Sequence, residues 1–124
     1  MTVQLSFEDE RPIFLQVADQ IQDGILSGAF PEETQIPSTT EISLNYKINP
    51  ATALRGINLL VESGIVYKKR GLGMFVTEGA VRAVREKRKN EFYQNYIVKV
   101  TAEAKKLELQ KEEIIAMIER GYEG

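Results

Sequence analysis

The chain of 124 residues contains no cysteine and no histidine. Without cysteine there is no disulfide and no thiol nucleophile, and without histidine as well the usual zinc ligand sets are excluded. Histidine-based acid–base catalysis is excluded too, and the carboxylates alone form no catalytic constellation. The composition therefore argues against an enzyme, and we expect neither a bound metal nor a cofactor.

Long hydrophobic runs are missing too. No apolar run approaches the ~18 residues of a membrane span, and the N-terminus lacks the charged and apolar regions of a secretion signal. With 43% hydrophobic and 27% charged residues, the chain is expected to fold around a packed core. We expect a cytoplasmic protein that has no membrane partner and consists of one modest domain and an appendage.

The net charge of −2 argues against nucleic-acid binding, but the distribution of charge argues for it. Residues 1–36 carry one basic and seven acidic residues, whereas residues 66–89 carry eight basic and two acidic residues. A basic stripe on an acidic protein is typical of a local phosphate footprint. For the cations between Arg82 and Lys89, the alternative is an ordinary solvated helix face.

An amphipathic helix is expected from Pro12 to Ser27, and Gly28 is its expected stop. Its apolar side chains recur with helical spacing and predict a core-facing surface. They are Ile13, Phe14, Val17, Ala18, Ile21, Ile25 and Leu26. The polar residues 1–11 are expected to be extended.

A second, shorter helix is predicted by a capping box. Ser38 and Glu41 have the required spacing, which favours a helix over residues 39–45. We expect Ile42 and Leu44 to face the core.

A third helix is predicted over residues 50–62, after a short turn. Asn49 can cap it, and Pro50 suits its first position. Its expected buried residues are Ala53, Ile57, Leu60 and Val61, and its expected outer residues are Ala51, Thr52, Arg55 and Asn58. Two helices joined by a tight turn are typical of a helix-turn-helix, whose second helix enters the DNA major groove.

A basic, glycine-containing hairpin follows the third helix. The alternation from Ile65 to Lys69 predicts a strand, residues 70–73 form the tip, and residues 74–77 return. Gly71 and Gly73 permit positive φ and close approach to a phosphate backbone. The expected fold is mainly α with a small β-hairpin wing: a winged helix-turn-helix over residues 1–79, followed by a two-helix tail over residues 80–124.

The tail carries an apolar seam at helical spacing. We expect one helix from Ala80 to about Leu107 and a second over residues 111–120, ended by Gly121. The seam residues are Tyr93, Tyr96, Val100, Ala104, Leu107, Ile114 and Ile118. Two helices of this length cannot bury both stripes alone, so we expect them to form a homodimer. The alternative is that they fold back on their own DNA-binding domain.

The first 77 residues resemble the GntR family of bacterial transcription repressors. The stretch P-I-F-L-Q-V-A-D-Q-I-Q-D-G-I-L-S-G resembles its opening helix, and I-P-S-T-T-E-I-S resembles its P-S-x-R-x-L-A segment. The motif N-P-x-T, a wing ending in G-x-F-V and a tail of two helices resemble the short-tailed YtrA subfamily. The resemblance implies a homodimer that binds a pseudo-palindromic double-stranded operator, often of an ABC-transporter operon. It does not identify a small-molecule effector.

Ten residues occupy positions expected to contact DNA. They are Ser38, Thr39, Thr40, Asn49, Thr52, Arg55, Lys69, Arg70, Gly71 and Gly73. Arg55 is the only cation of the third helix and the best candidate for a guanine or phosphate contact. Thr40, Pro50, Ala51 and Leu54 stand where the family usually has arginine or asparagine. Gly56 replaces the usual alanine, at a cost of about 1 kcal/mol in helix propensity.

Two alternatives stay open at this stage. Ser38 and Asn49 could serve as helix caps only, although capping and phosphate contact are compatible. The overall acidity, the single cation of the third helix and the missing family arginines also fit a winged-helix protein–protein adaptor that does not bind DNA. Salt-dependent duplex binding distinguishes a repressor from such an adaptor.

Overall fold

The computed structural model describes residues 11–124. Apart from Arg11, the extended segment expected at the N-terminus lies outside these residues. The chain forms two compact units, one ending at Glu86 and the other spanning Lys87–Gly124, here called the N-terminal and C-terminal units. This division falls within the fourth helix, and the domain boundary after Gly79 stays a prediction.

Five elements and the start of a sixth form the N-terminal unit. They are α1 (Ile13–Ser27), α2 (Thr39–Tyr46), α3 (Pro50–Glu62), β1 (Val66–Lys69), β2 (Gly73–Val76) and the first turns of α4 (Ala80–Phe92). Helices α1 and α2 pack against α3, which also contacts β1. This arrangement is the winged helix-turn-helix expected from the sequence.

One hydrophobic core holds the N-terminal unit together, and α4 contributes to it. Its buried members are Val17, Ala18, Ile21, Ile25, Ile36, Ile42, Ala53, Ile57, Leu60, Ile65, Val66, Val76, Ala80 and Val84. Because Ala80 and Val84 belong to this core, the first two turns of α4 are part of the winged-helix structure.

Two residues expected in the core are exposed. Leu44 is 72% exposed, because residues two apart on a helix point to different sides and its neighbours Ile42 and Ser43 take the buried positions of α2. Val61 is 37% exposed, since Ala53, Ile57 and Leu60 already define the buried side of α3 and Val61 lies at its edge.

The wing is an antiparallel hairpin whose register pairs Val66 with Val76 and Lys69 with Gly73. The connector before α2 extends this hairpin. The N–H of Ile36 donates to the carbonyl of Met74 at 2.9 Å, and the N–H of Val76 donates to that of Thr34, also at 2.9 Å. The wing is therefore tied to the connector that leads into α2.

The helix expected from Ala80 to about Leu107 is present as helical backbone from Ala80 to Lys106, but it is not α-helical throughout. A π-helical turn at Tyr93–Ile97 separates α4 from α5 (Val98–Lys106). Such a turn accommodates an additional residue without ending the helix, so Pro and Gly are not needed to mark it. Helix α6 (Lys111–Glu123) continues past its predicted end at Gly121, because glycine lowers helix propensity without removing a backbone hydrogen bond.

Between residues 11 and 124, none of the helices has the length and apolar character needed to cross a membrane.

Candidate nucleic-acid interface

Side-chain caps fix the start of both helices of the helix-turn-helix. The N–H of Glu41 donates to Ser38 Oγ at 3.1 Å, and the N–H of Ser38 donates to Glu41 Oε1 at 3.2 Å. The N–H of Ala51 donates to Asn49 Oδ1 at 2.8 Å, and Pro50 occupies the first position of α3. The predicted capping box and the predicted Asn–Pro start are both confirmed.

These caps leave donors available for a phosphate. Ser38 keeps its hydroxyl hydrogen and Asn49 keeps its amide N–H groups, since both use only an oxygen acceptor in the cap. Thr39 and Thr52 are half-buried, whereas Thr40 is exposed. Contact of these five residues with DNA stays a prediction.

Helix α3 packs unusually close to α1 at Gly56. A Cβ atom at Gly56 would lie 2.7 Å from the carbonyl oxygen of Phe14 and 3.0 Å from the Cβ of Val17. Backbone at that distance cannot yield as a flexible side chain can, so an alanine here would force the helices apart. The glycine at this position therefore has a packing reason.

Four exposed residues line the outer side of α3 and are called the reading face below: Ala51, Leu54, Arg55 and Asn58. Together with Leu59 and Glu62 they border a shallow groove of about 290 Å³. The face is opposite the buried residues of α3, as a helix that enters the major groove requires.

Arg55 stacks on an aromatic ring of α1. Its guanidinium carbon lies 3.8 Å from the centroid of the Phe14 ring. A planar cation at this distance is attracted to the ring face. Phe14 therefore holds Arg55 on the α1 side of the reading face.

The tip of the wing is built around two glycines. Gly71 has φ 80° and Gly73 has φ 119°, and the N–H of Leu72 donates to the carbonyl of Lys69 at 2.9 Å to close the turn. Gln35 supports the tip, because its Nε2 donates to the carbonyl of Leu72 at 2.8 Å.

The two predicted wing cations have different surroundings. The Nζ of Lys69 lies 4.4 Å from the centroid of the Phe75 ring, whereas Arg70 is exposed at the tip.

On the strand β1, the hydroxyl of Tyr67 donates to Glu33 Oε2 at 2.8 Å. This hydrogen bond, together with partial desolvation and the nearby charge, raises the pKa of Tyr67.

A carboxylate from the connector caps the start of α4. Glu32 Oε1 accepts from the N–H of Gly79 at 2.9 Å, and its Oε2 accepts from the N–H of Val81 at 3.0 Å. These two backbone donors stabilise the charged form, so the pKa of Glu32 lies below its ordinary value. The contact joins α4 to the connector that is also hydrogen-bonded to the wing.

The apolar residues of the C-terminal unit are mostly at its surface. Of residues 87–124, only Ala104 is buried. Among the other predicted dimerisation residues, Ile114 is half-buried. The exposed ones are Tyr93, Tyr96, Val100, Leu107 and Ile118. A hollow of about 270 Å³ lies beside them, lined by Thr101, Ala104, Lys105, Leu109, Lys111, Ile114 and Ile115.

The family of bacterial regulatory proteins called GntR matches residues 14–76, which span the helix-turn-helix and the wing. The chain belongs to the GntR family. It is 32% identical over 120 residues to the HTH-type transcriptional regulator YhcF of Bacillus subtilis, covering 95% of this chain and 96% of YhcF. It is 27% identical over 78 residues to the transcriptional repressor YtrA of the same organism, covering 63% of this chain and 60% of YtrA.

Solved structures of GntR regulators have the same fold. A regulator of this family from Bacteroides thetaiotaomicron is 32% identical and superposes with a TM-score of 0.77 over 90% of this chain and 96% of that chain. The DNA-binding domain of AraR in complex with the operator ORE1 is 27% identical, with a TM-score of 0.53 over 62% of this chain and 94% of that chain. This GntR protein is accordingly a DNA-binding transcriptional regulator and not an enzyme.

Several residues that shape the interface carry no signal in the sequence. Phe14 reads as a core residue of α1, and Gln35 and Glu32 lie in a connector without regular structure. Each contacts a group at least 37 residues away in the chain. Phe14 contacts Arg55, Gln35 contacts the wing tip, and Glu32 contacts the start of α4. Periodicity and capping rules describe neighbours in sequence and cannot find such contacts.

Proposed function

We propose that this GntR protein is a homodimeric repressor that binds a pseudo-palindromic operator. The reading face of α3 enters the major groove, and the wing contacts the backbone or minor groove. Since each subunit of a two-fold dimer carries one reading face, the operator has two inverted half-sites. Because this activity acts on bacterial DNA, it implies a cytoplasmic location.

The homodimer is supported by the exposed seam of the C-terminal unit. Contiguous apolar surface of this kind usually marks an interaction site. A second copy of the chain supplies an equal seam, and a two-fold interface uses the same surface on both subunits. The dimer joins two weak half-site contacts into one stronger interaction.

The finer assignment to a short-tailed, YtrA-like regulator rests on the tail of about forty residues and on the partial similarity to YtrA. From the resemblance, the proposed target is an operon for an ABC transporter. Deleting the gene and measuring transcripts tests this target: transporter transcripts should rise in the absence of a repressor. Transcripts that fall would instead identify an activator.

DNase footprinting with the full-length protein tests the function itself. The protected site should contain two inverted half-sites spaced about one DNA turn apart, ~10 base pairs or slightly more centre to centre. Sedimentation should give twice the chain mass of 14.0 kDa. Protection of one asymmetric half-site by a monomer would overturn the proposal, and duplex binding that does not depend on salt would favour the adaptor.

A further inference from the structure

Two of the three reading-face residues in the first half of α3 are apolar. Ala51 and Leu54 are exposed in the first half of α3, and Leu54 is 43% exposed. The N-terminal residues of a recognition helix are those that contact base edges. A single exposed leucine carries no information elsewhere on a surface, but Leu54 lies on the face that the proposed operator binding turns toward the bases.

The one cation of α3 lies to the side of these methyl groups. Arg55 is held toward α1 by the stack on Phe14. Leu54 is one residue earlier, so it lies roughly 100° around the helix, on the other side of Ala51. Within residues 51–55, the side of the face away from α1 therefore offers apolar groups, and the amide of Asn58 follows one turn farther along the helix.

Only one apolar group is displayed in the major groove of unmodified DNA, and that group is the C5-methyl of thymine. We propose that Leu54 and Ala51 recognise thymine methyl groups in each operator half-site. This inference rests on the proposed operator binding and specifies thymine as the base that the reading face recognises. It also gives α3 a means of discriminating between sequences although Ala51 and Leu54 stand where the family usually has arginine or asparagine.

The test uses a duplex selected by the full-length protein from a random-sequence pool. Each thymine of a half-site is replaced in turn by deoxyuridine, which keeps base pairing and removes only the C5-methyl. At one or more positions, the affinity of the wild-type protein should fall about fourfold, the factor expected for one buried methyl-sized group. In Leu54→Ala, at least one of these positions should become insensitive to deoxyuridine.

Leu44→Ala is the matched control, because Leu44 is an exposed leucine on α2, away from the reading face. It should keep the full deoxyuridine sensitivity of the wild type. Salt-dependent binding to random duplex checks that Leu54→Ala is folded and should match the wild type.

The outcomes separate this inference from the function on which it rests. Operator binding without sensitivity to deoxyuridine, or equal sensitivity in Leu54→Ala and wild type at every position, overturns thymine recognition and leaves the repressor proposal standing. If the wild-type protein selects no duplex from the pool, both proposals are overturned.

Discussion

The two units of the chain use their apolar residues differently. In the N-terminal unit they converge on one core that extends from α1 to Val84. In the C-terminal unit most of them are exposed, and only Ala104 is buried. The comparison teaches that the same amphipathic spacing gives a self-contained core in one region and an exposed apolar surface in the other.

The largest effect is expected from placing charge on the seam. Replacing Tyr96 and Ile118 together by aspartate should give monomers, since two charges would have to be desolvated in the interface. Operator affinity should fall about 100-fold or more, because each half-site is then held alone. Sedimentation and operator titration measure the two effects.

The control for this pair is Ala102→Asp with Ala116→Asp, two exposed positions outside the seam. These substitutions add the same charge and should leave a dimer with wild-type affinity. A seam variant that stays dimeric would mean that the exposed apolar residues do not form the interface.

A pair of fragments tests how far the self-contained region extends. A fragment ending at residue 86 should unfold cooperatively in urea. One ending at residue 79 lacks the buried side chains of Ala80 and Val84, and its free energy of unfolding should be lower by about 2–4 kcal/mol. Equal stability of the two fragments would instead support a boundary after Gly79.

Arg55 tests which unit reads the operator. Arg55→Ala should weaken operator binding by about 1–3 kcal/mol if the guanidinium contacts a base, and should weaken binding to random duplex less. Phe14→Leu keeps an apolar residue in α1 and removes the stacking ring, so it should produce part of the same loss. Unchanged operator affinity in Arg55→Ala would exclude this side chain from base contact.

The wing should contribute general affinity. Replacing Lys69 and Arg70 together by alanine should weaken operator and random duplex similarly and should lower the slope of log K against log salt by about two phosphate equivalents. Lys99→Ala with Lys106→Ala removes the same charge from α5 and should leave the slope unchanged. A wild-type slope in the wing variant would mean that the wing does not touch phosphate.

The smallest effect is expected where α4 meets the connector. The pKa of Glu32 is lowered in the folded state, so its stabilising contribution is present above the ordinary value of 4.5 and is lost as the pH falls through the lower folded value. Glu32→Gln should lower the melting temperature slightly at pH 7, and the difference should shrink toward pH 3. Glu78→Gln, an exposed neighbour, is the control; a difference independent of pH would assign the effect to shape rather than charge.

Local signals account for what could be predicted. Ser38, Glu41, Asn49 and Pro50 predicted the starts of α2 and α3 because caps depend on residues two or three apart. The exposure of Leu44 was missed because an eight-residue helix allows several apolar faces. The π-helical turn at Tyr93–Ile97 has no residue signature at all.

The candidate site was predictable in its elements but less so in its contacts. The glycine-bearing hairpin and the cation of α3 could be named in advance. The stack of Arg55 on Phe14 could not, since 41 residues separate the two along the chain and only the packing of α1 on α3 brings them together.

The missing side chain at Gly56 has a consequence for engineering. A recognition helix transplanted from a relative with alanine at this position would carry a methyl group into the Phe14 carbonyl. The transplanted helix would be displaced from α1, and Arg55 would lose its stack on the Phe14 ring. Exchanging α3 alone would therefore not transfer the operator preference. Because α1 and α3 fit each other at Gly56, a chimera should take both helices from the same protein.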